Sequence, residues 1–370
     1  LICNYCFTFL MGALHQPDLN KKWKSYHPAL DGFRGLALIM VIMTHSTAYP
    51  AGGGFPEYTI FHAIWSNIQS FLWFGLEMFF VLSGFLVTGI LINTRNHAHY
   101  YKNYYFRRIL RVFPLYWVML ILGLLIVPNL PYIQDLPYLY YNDKDHPTWK
   151  DALFYIFFIA NFKEYQHHTI MLFVTWSLSI EEHYYMVWPH VVKFLKKANV
   201  LKVCFWLIVT GLCFRIYFVS ATDNPMIPYM WTMCRWDALA MGSALGMVWH
   251  SPGGAEKINY VVRKYFPLLT GILIGYVLIM RFGIYSGENY KVEYLQLTPI
   301  GQTIGFSIVD SWCCLLLAYI HLQKSGTLVQ RFFETKILTG AGKYSYAVYL
   351  VHIPVLESVR YFFFRPYGYF

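Results

Sequence analysis

An arginine and a histidine share one otherwise apolar run, HPALDGFRGLALIMVIMTHSTAYP, as Arg34 and His45. Eleven helical steps of about 100° bring His45 to within about 20° of the azimuth of Arg34, roughly 16 Å further along the axis. Both therefore fall on one face, with a guanidinium toward one end and an imidazole toward the other. A purely structural account exists: Arg34 snorkels its charge to an interface, and His45 hydrogen-bonds a neighbour. The chemical account is that ionisable groups in apolar helices are costly and mark a functional path. A neutral imidazole there can take a proton from a hydroxyl, or carry a group as a nucleophile.

Other apolar runs are interrupted in the same way. Glu77 lies in FGLEMFFVLSGFLVTGI, with Ser83 and Gly84 about two turns further on; small residues there serve close helix packing. WSLSIEEHYYMVWP carries Ser177, Glu181 and Tyr185 at intervals of four, which stacks them on one helical face. Glu182, beside them, reads as an interface or helix-end residue. RWDALAMG supplies Arg235 and Asp237, read as an internal ion pair, and GKYSYAVYLVHIPV supplies Tyr344, Ser345 and His352. Arg107, Arg108 and Arg111 precede Pro114. The planar fork of arginine suits phosphate oxygens, although a cytoplasmic anchor needs no further purpose. Glu77 or Glu181 would set the proton affinity of His45.

The elements that must position these groups are membrane helices. Of 370 residues, 57% are hydrophobic and 13% charged, where a soluble domain has about a quarter charged. Aromatics reach 20%, which suits helices that meet two water–lipid interfaces. A net charge of +10 would suggest nucleic acid in a soluble protein. Here the Lys and Arg stand in short clusters between apolar runs, so no nucleic-acid partner is expected. The seven cysteines have no metal-ligand spacing: Cys3 and Cys6 form a lone CxxC, and Cys204, Cys213, Cys234, Cys313 and Cys314 lie in apolar runs as filler. No metal site is expected.

Apolar runs at 31–48, 70–92, 110–127, 174–192, 203–219, 229–249, 265–281, 298–320 and 343–364 read as spans, and the weaker run 151–162 is short for a crossing. The expected fold is an all-α polytopic membrane bundle of about ten segments, nine crossings plus one short or re-entrant piece. Lys21, Lys22 and Lys24 place the N-terminus in the cytoplasm. The clusters around Arg107, Lys196, Lys257 and Lys336 follow on the same side only if 151–162 does not cross, and the C-terminus is then outside. The expected organisation is a cytoplasmic segment 1–26, one membrane domain 27–364, a tail 365–370 and no appended soluble domain.

These strings, in this order, resemble the acyltransferase family 3 membrane proteins, which O-acylate cell-surface carbohydrates. The resemblance runs from about residue 27 to 360. It rests on LDGFRGLA with its Arg, ten residues, then His, followed by FFVLSGFL, RRILRVFPLYW, WSLSIEEHYYMVWP, RWDALAMG and GKYSYAVYLVH. It implies an acyl-CoA co-substrate on the cytoplasmic side, with acetyl favoured, and no tightly bound cofactor. The acceptor would be a hydroxyl of a surface polysaccharide or glycolipid outside an inner (plasma) membrane. It implies His45 as the catalytic residue with Arg34 as its partner, and Glu181 is counted with them. Arg107, Arg108 and Arg111 would hold the donor's phosphates, while Ser177 and Tyr185 complete a Ser–Glu–aromatic pattern. Glu77, Arg235 and Asp237 are placed with the substrate-binding residues. The alternative is a transporter or flippase for a glycan or small solute. Such a carrier should show paired halves, and no internal repeat is present.

Overall fold

The computed structural model describes residues 27–47, 68, 72–129, 148–163, 170–280, 292–324 and 326–363. The expectations for segment 1–26, Cys3 and Cys6, and the tail 365–370 lie outside the described residues. Every regular element described is helical: α1 Pro28–Thr47, α2 Phe74–Thr94, α3 Tyr100–Ile121, α4 Trp149–Ile156, α5 Thr175–Phe194, α6 Lys197–Ala221, α7 Met226–Met230, α8 Thr232–Trp249, α9 Gly254–Leu278, α10 Phe306–Leu322, α11 Leu328–Phe333, α12 Lys336–Lys343 and α13 Ser345–Phe363.

Five segments are long and apolar enough to cross a membrane: Phe74–Thr94, Tyr100–Ile126, Lys197–Ala221, Gly254–Leu278 and Gly301–Leu322. Four further long helices, α1, α5, α8 and α13, lie among them. The first three are less apolar because they carry polar groups, Arg34, Glu181, Glu182, Arg235 and Asp237 among them, while α13 is apolar over the shorter stretch Ser345–Val359. Together these make nine long helices among the described residues, one for each run read as a span.

Burial sorts the helices into an axis and a rim. The apolar window of α2 is 72% buried, against 17% for α6 and α9. So α2 forms the axis, and α6 and α9 turn apolar side chains to lipid. α3 does the same with Phe106, Ile109, Leu110, Trp117 and Val118. The axis is held by close backbone approach: a Cβ on Gly84 would lie 2.0 Å from the Leu239 carbonyl oxygen, and one on Gly242 would lie 1.9 Å from that of Val81. Only glycine permits this contact, which is how membrane helices gain packing without a hydrophobic drive between them.

Side-chain contacts fix the directions. Arg95 Nη2 donates to the Lys193 carbonyl at 3.0 Å and Lys193 Nζ donates to that of Arg95 at 2.6 Å, so α2 and α5 end together. His321, at the end of α10, meets His27 before α1 at 4.8 Å and Trp249 at the end of α8 at 4.1 Å between rings. Lys197 at the start of α6 bonds Ser251 just beyond α8. Successive long helices thus alternate in direction. Arg95, Lys193, Lys196 and Lys197 gather at one end of the bundle, the basic end.

The short run near 151–162 does not cross. It forms α4, eight residues or about 12 Å long. Thr148 caps it, accepting from the Asp151 backbone N–H while the Asp151 carboxylate accepts from the Thr148 backbone. Lys163 closes the cluster with Nζ 2.8 Å from Asp151 Oδ1. Partial burial works to raise the Asp151 carboxyl, but bonds from Lys163 and Thr148 outweigh it and hold it at about 2.

Candidate active site

The site begins with a proline. Pro189 inside α5 has no N–H to give the Tyr185 carbonyl one turn back, and such freed groups need other partners at membrane depth. Tyr104 of α3 reaches that carbonyl, and two further tyrosines of α3 bond carbonyls beside it. Tyr104 Oη reaches the Tyr185 carbonyl at 3.5 Å, Tyr105 Oη donates to that of Met186 at 2.8 Å, and Tyr100 Oη to that of Pro189 at 3.0 Å. Tyr100, Tyr104, Arg108 and Arg111 follow at steps of four, four and three, one face of the helix. Zipping the tyrosines onto α5 therefore delivers two arginines against Glu181, Glu182 and Tyr185.

Arg108 is bound there firmly. Its Nε lies 3.0 and 3.2 Å from the two Glu182 carboxylate oxygens and its Nη2 lies 2.6 Å from Oε1. Its guanidinium carbon sits 3.2 Å from the centroid of the Tyr185 ring, adding a cation–π contact. Glu182 is thus no interface residue. It is buried, because Arg108 supplies the charge that lets a carboxylate leave water.

Arg34, Arg108, Arg111, Ser177, Glu181 and Tyr185 line one cavity of about 200 Å³ with Ser83 and, from α13, Ser345, Tyr346 and Tyr349. The remaining wall is apolar and comes mostly from α2, including Phe79, Phe80 and Leu86, with Val112 of α3 and Leu178 of α5. Stacking of Ser177, Glu181 and Tyr185 on one face is as their spacing required. Ser83 does more than allow close packing: its hydroxyl donates to Glu181 Oε1 at 2.6 Å. Arg34 stands 3.4 Å from Asp31, one turn back on α1. Arg111 makes no ion pair among the described residues and stands exposed at the cavity's edge. Arg107 is exposed and does not line the cavity, since the step from Arg108 turns it about 100° away.

His45 lies beyond the cavity and is tied to it through α13. Tyr349 Oη and Ser177 Oγ are 2.5 Å apart. His352 Nδ1 lies 2.6 Å from the Tyr349 carbonyl oxygen, and His352 Nε2 lies 3.1 Å from His45 Nδ1. Tyr346, Tyr349 and His352 were present in the last apolar run, but nothing linear in the sequence pairs them with residues 172 to 307 positions earlier.

Glu77, Arg235 and Asp237 are elsewhere, in a second polar centre that lines no part of this cavity. Arg235 pairs with Glu77, not with Asp237 as the sequence suggested. Residues two apart on a helix point to opposite sides, so Asp237 instead takes Arg215 of α6 at 2.6 Å. Arg215 also donates to the Cys234 carbonyl at 2.7 Å and to Ser307 Oγ at 2.8 Å. Asp310 completes the group, and all five ionisable side chains are at most 1% exposed. Arg215 and Asp310 were missed in the sequence, although a lone charge in GLCFRIYF or SIVDSW is the signal that exposes such residues. A second cavity of about 770 Å³ opens at the basic end, lined by His27, Asn93, Trp249, His250 and His321 among others. None of the residues flagged from the sequence lines it.

Comparison with known proteins shows the family of the chain. The family model described as an acyltransferase domain matches residues 27–369. The O-acetyltransferase OatA of Staphylococcus aureus is 28% identical over 360 residues, covering 90% of this chain and 51% of that protein. The peptidoglycan O-acetyltransferase OatA of Listeria monocytogenes is 26% identical over 356 residues, covering 90% and 50%. The chain therefore spans about half the length of these curated relatives. No solved structure matches it.

Proposed function

The chain belongs to the acyltransferase 3 family, and from that premise we propose that it moves an acetyl group from acetyl-CoA at the basic end of the bundle to a carbohydrate hydroxyl at the opposite end. On this reading the basic end faces the cytoplasm, which the positive-inside tendency of membrane proteins supports. The observation that carries this reading is the convergence of Arg34, Arg108, Arg111, Ser177, Glu181 and Tyr185 on one cavity, joined through Tyr349 and His352 to His45.

Each group has a task. Arg111, exposed at the edge, meets the donor's phosphates, Arg34 lines the cavity within, and Arg108, already satisfied by Glu182, shapes that wall. A cavity of about 200 Å³ is below the roughly 300–1,000 Å³ of drug-sized ligand pockets. It takes the arm of the donor that leads to the thioester, so that the acyl group reaches past it toward His45 while the nucleotide stays outside. The apolar wall from α2 excludes water from the thioester, which protects it from hydrolysis.

His45 does the chemistry. As a base it takes the proton of the acceptor hydroxyl as that oxygen bonds the acyl carbon; the carbon–sulfur bond breaks, and the proton passes to the departing CoA sulfur. As a nucleophile the same imidazole holds the acyl group between the two transfers. The acceptor to test first is a peptidoglycan sugar, because the Listeria relative is named for that substrate.

The test is CoA release from acetyl-CoA by the purified protein, with and without peptidoglycan fragments, in wild type and His45→Ala. Release that needs both His45 and the glycan is the expected result. Release indifferent to His45 would refute the assignment. Acid quenching during turnover then separates the two routes: label retained on wild type and absent from His45→Ala marks the acyl carrier.

A further inference from the structure

The polar residues of α13 form one stripe. Ser345, Tyr349 and His352 follow at steps of four and three, so they share a face. The first two line the cavity, and the third reaches His45. His352 is 4% exposed, and the two imidazole centroids are 5.0 Å apart with planes inclined at 54°.

Their hydrogen bonds assign both tautomers. A backbone carbonyl can only accept, so His352 Nδ1, 2.6 Å from the Tyr349 oxygen, must carry its proton. In the neutral ring Nε2 then holds a lone pair. His45 Nδ1 lies 3.1 Å from that nitrogen and 2.9 Å from the Val41 carbonyl oxygen. Both neighbours accept, so His45 Nδ1 carries the proton and Nε2 of His45 is its basic nitrogen. Val41 belongs to the same helix as His45 and restrains the ring only along α1. His352 restrains it from a second helix, the one that also walls the donor cavity.

Resting on the acyl-transfer reading above, we propose that His352 is a positioning residue for that reaction: its Nε2 accepts from His45 Nδ1–H and holds the basic Nε2 of His45 toward the acyl group and the acceptor hydroxyl. The arrangement follows the general logic of a catalytic base oriented by a third group, with an imidazole lone pair in the orienting place. His352 lines no part of the cavity, so its loss should slow turnover without weakening donor binding.

The experiment compares wild type, His352→Gln, His352→Phe and His45→Ala by steady-state transfer from acetyl-CoA and by thermal unfolding in detergent. Gln presents an amide oxygen where His352 Nε2 stood, whereas Phe keeps the ring's bulk and has no acceptor. His352→Phe should lose about 100-fold in kcat, the scale of a misplaced general base, with KM for acetyl-CoA within about twofold of wild type. His352→Gln should recover at least about tenfold of that loss, with thermal midpoints alike. Equal activity of the Phe and Gln variants, or a loss expressed wholly in KM, would overturn the proposal. If wild type itself transfers no better than His45→Ala, the acyl-transfer reading falls and takes this inference with it.

Discussion

Arg108 grips Glu182 with three nitrogen–oxygen contacts of 2.6 to 3.2 Å, a fork that only a planar guanidinium can make. The pair joins α3 to α5 and holds Arg108 in the wall of the cavity. Lys in this place keeps the charge and loses the geometry. Arg108→Lys is therefore expected to raise KM for acetyl-CoA and lower the thermal midpoint. Glu182→Gln strands a mostly buried guanidinium, which costs on the order of 3–5 kcal/mol. Detergent-phase thermal unfolding beside donor titration checks both.

The second polar centre makes an asymmetric demand on its carboxylates. Arg235 bonds Glu77 and Arg215 bonds Asp237, while Asp310 makes no ion pair among the described residues, leaving three carboxylates around two guanidinium groups. Glu77→Gln should destabilise by about 3–5 kcal/mol, since it leaves a buried Arg235 unmatched. Asp310→Asn should be neutral or stabilising, because neither ion pair of this centre depends on it and the shape is unchanged. Equal losses from the two variants would refute this division of roles.

Close approach of α2 and α8 gives a steric prediction. A methyl group on Gly84 would meet the Leu239 carbonyl oxygen at 2.0 Å, and backbone cannot rotate out of the way. Gly84→Ala should cost roughly 1–3 kcal/mol through overpacking. Gly271→Ala, with nothing within 4 Å, should leave the thermal midpoint unchanged. The contrast isolates packing from the general effect of replacing glycine.

The Thr148–Asp151–Lys163 cluster carries a pH dependence. An unfolded Asp titrates near about 3.9, and here the carboxyl is held at about 2. The fold binds this proton more weakly than the unfolded chain does. The resulting stabilisation is fully present above about pH 4 and fades as pH falls through about 2. Solvent screening keeps it to about 1 kcal/mol or less. Asp151→Asn should remove that acid dependence from the unfolding midpoint; an unchanged dependence would contradict it.

Much of this was legible in advance because membrane helices write themselves plainly. Nine apolar runs became nine long helices, and 151–162 was recognised as too short to cross. The spacing of Ser177, Glu181 and Tyr185 was enough to put them on one cavity wall, since a helical face is a local property. Pairings were another matter. Glu182 with Arg108, Arg215 with Asp237 and His45 with His352 are separated by tens to hundreds of residues, and no periodicity encodes which helix stands beside which. Arg235 and Asp237 misled for the same reason: adjacency in the chain looked like contact, while the helix turned them apart. Ser83 was read as a packing residue because its partner, Glu181, lies on another helix.

The most direct measurement places labelled acetyl-CoA on one side of sealed proteoliposomes and peptidoglycan fragments on the other. Label appearing on the glycan with wild type, and absent with His45→Ala of equal thermal midpoint, is the expected result. Label transferred equally by His45→Ala, or found only when donor and glycan share one side, would contradict a trans-bilayer path from the arginine cavity to His45.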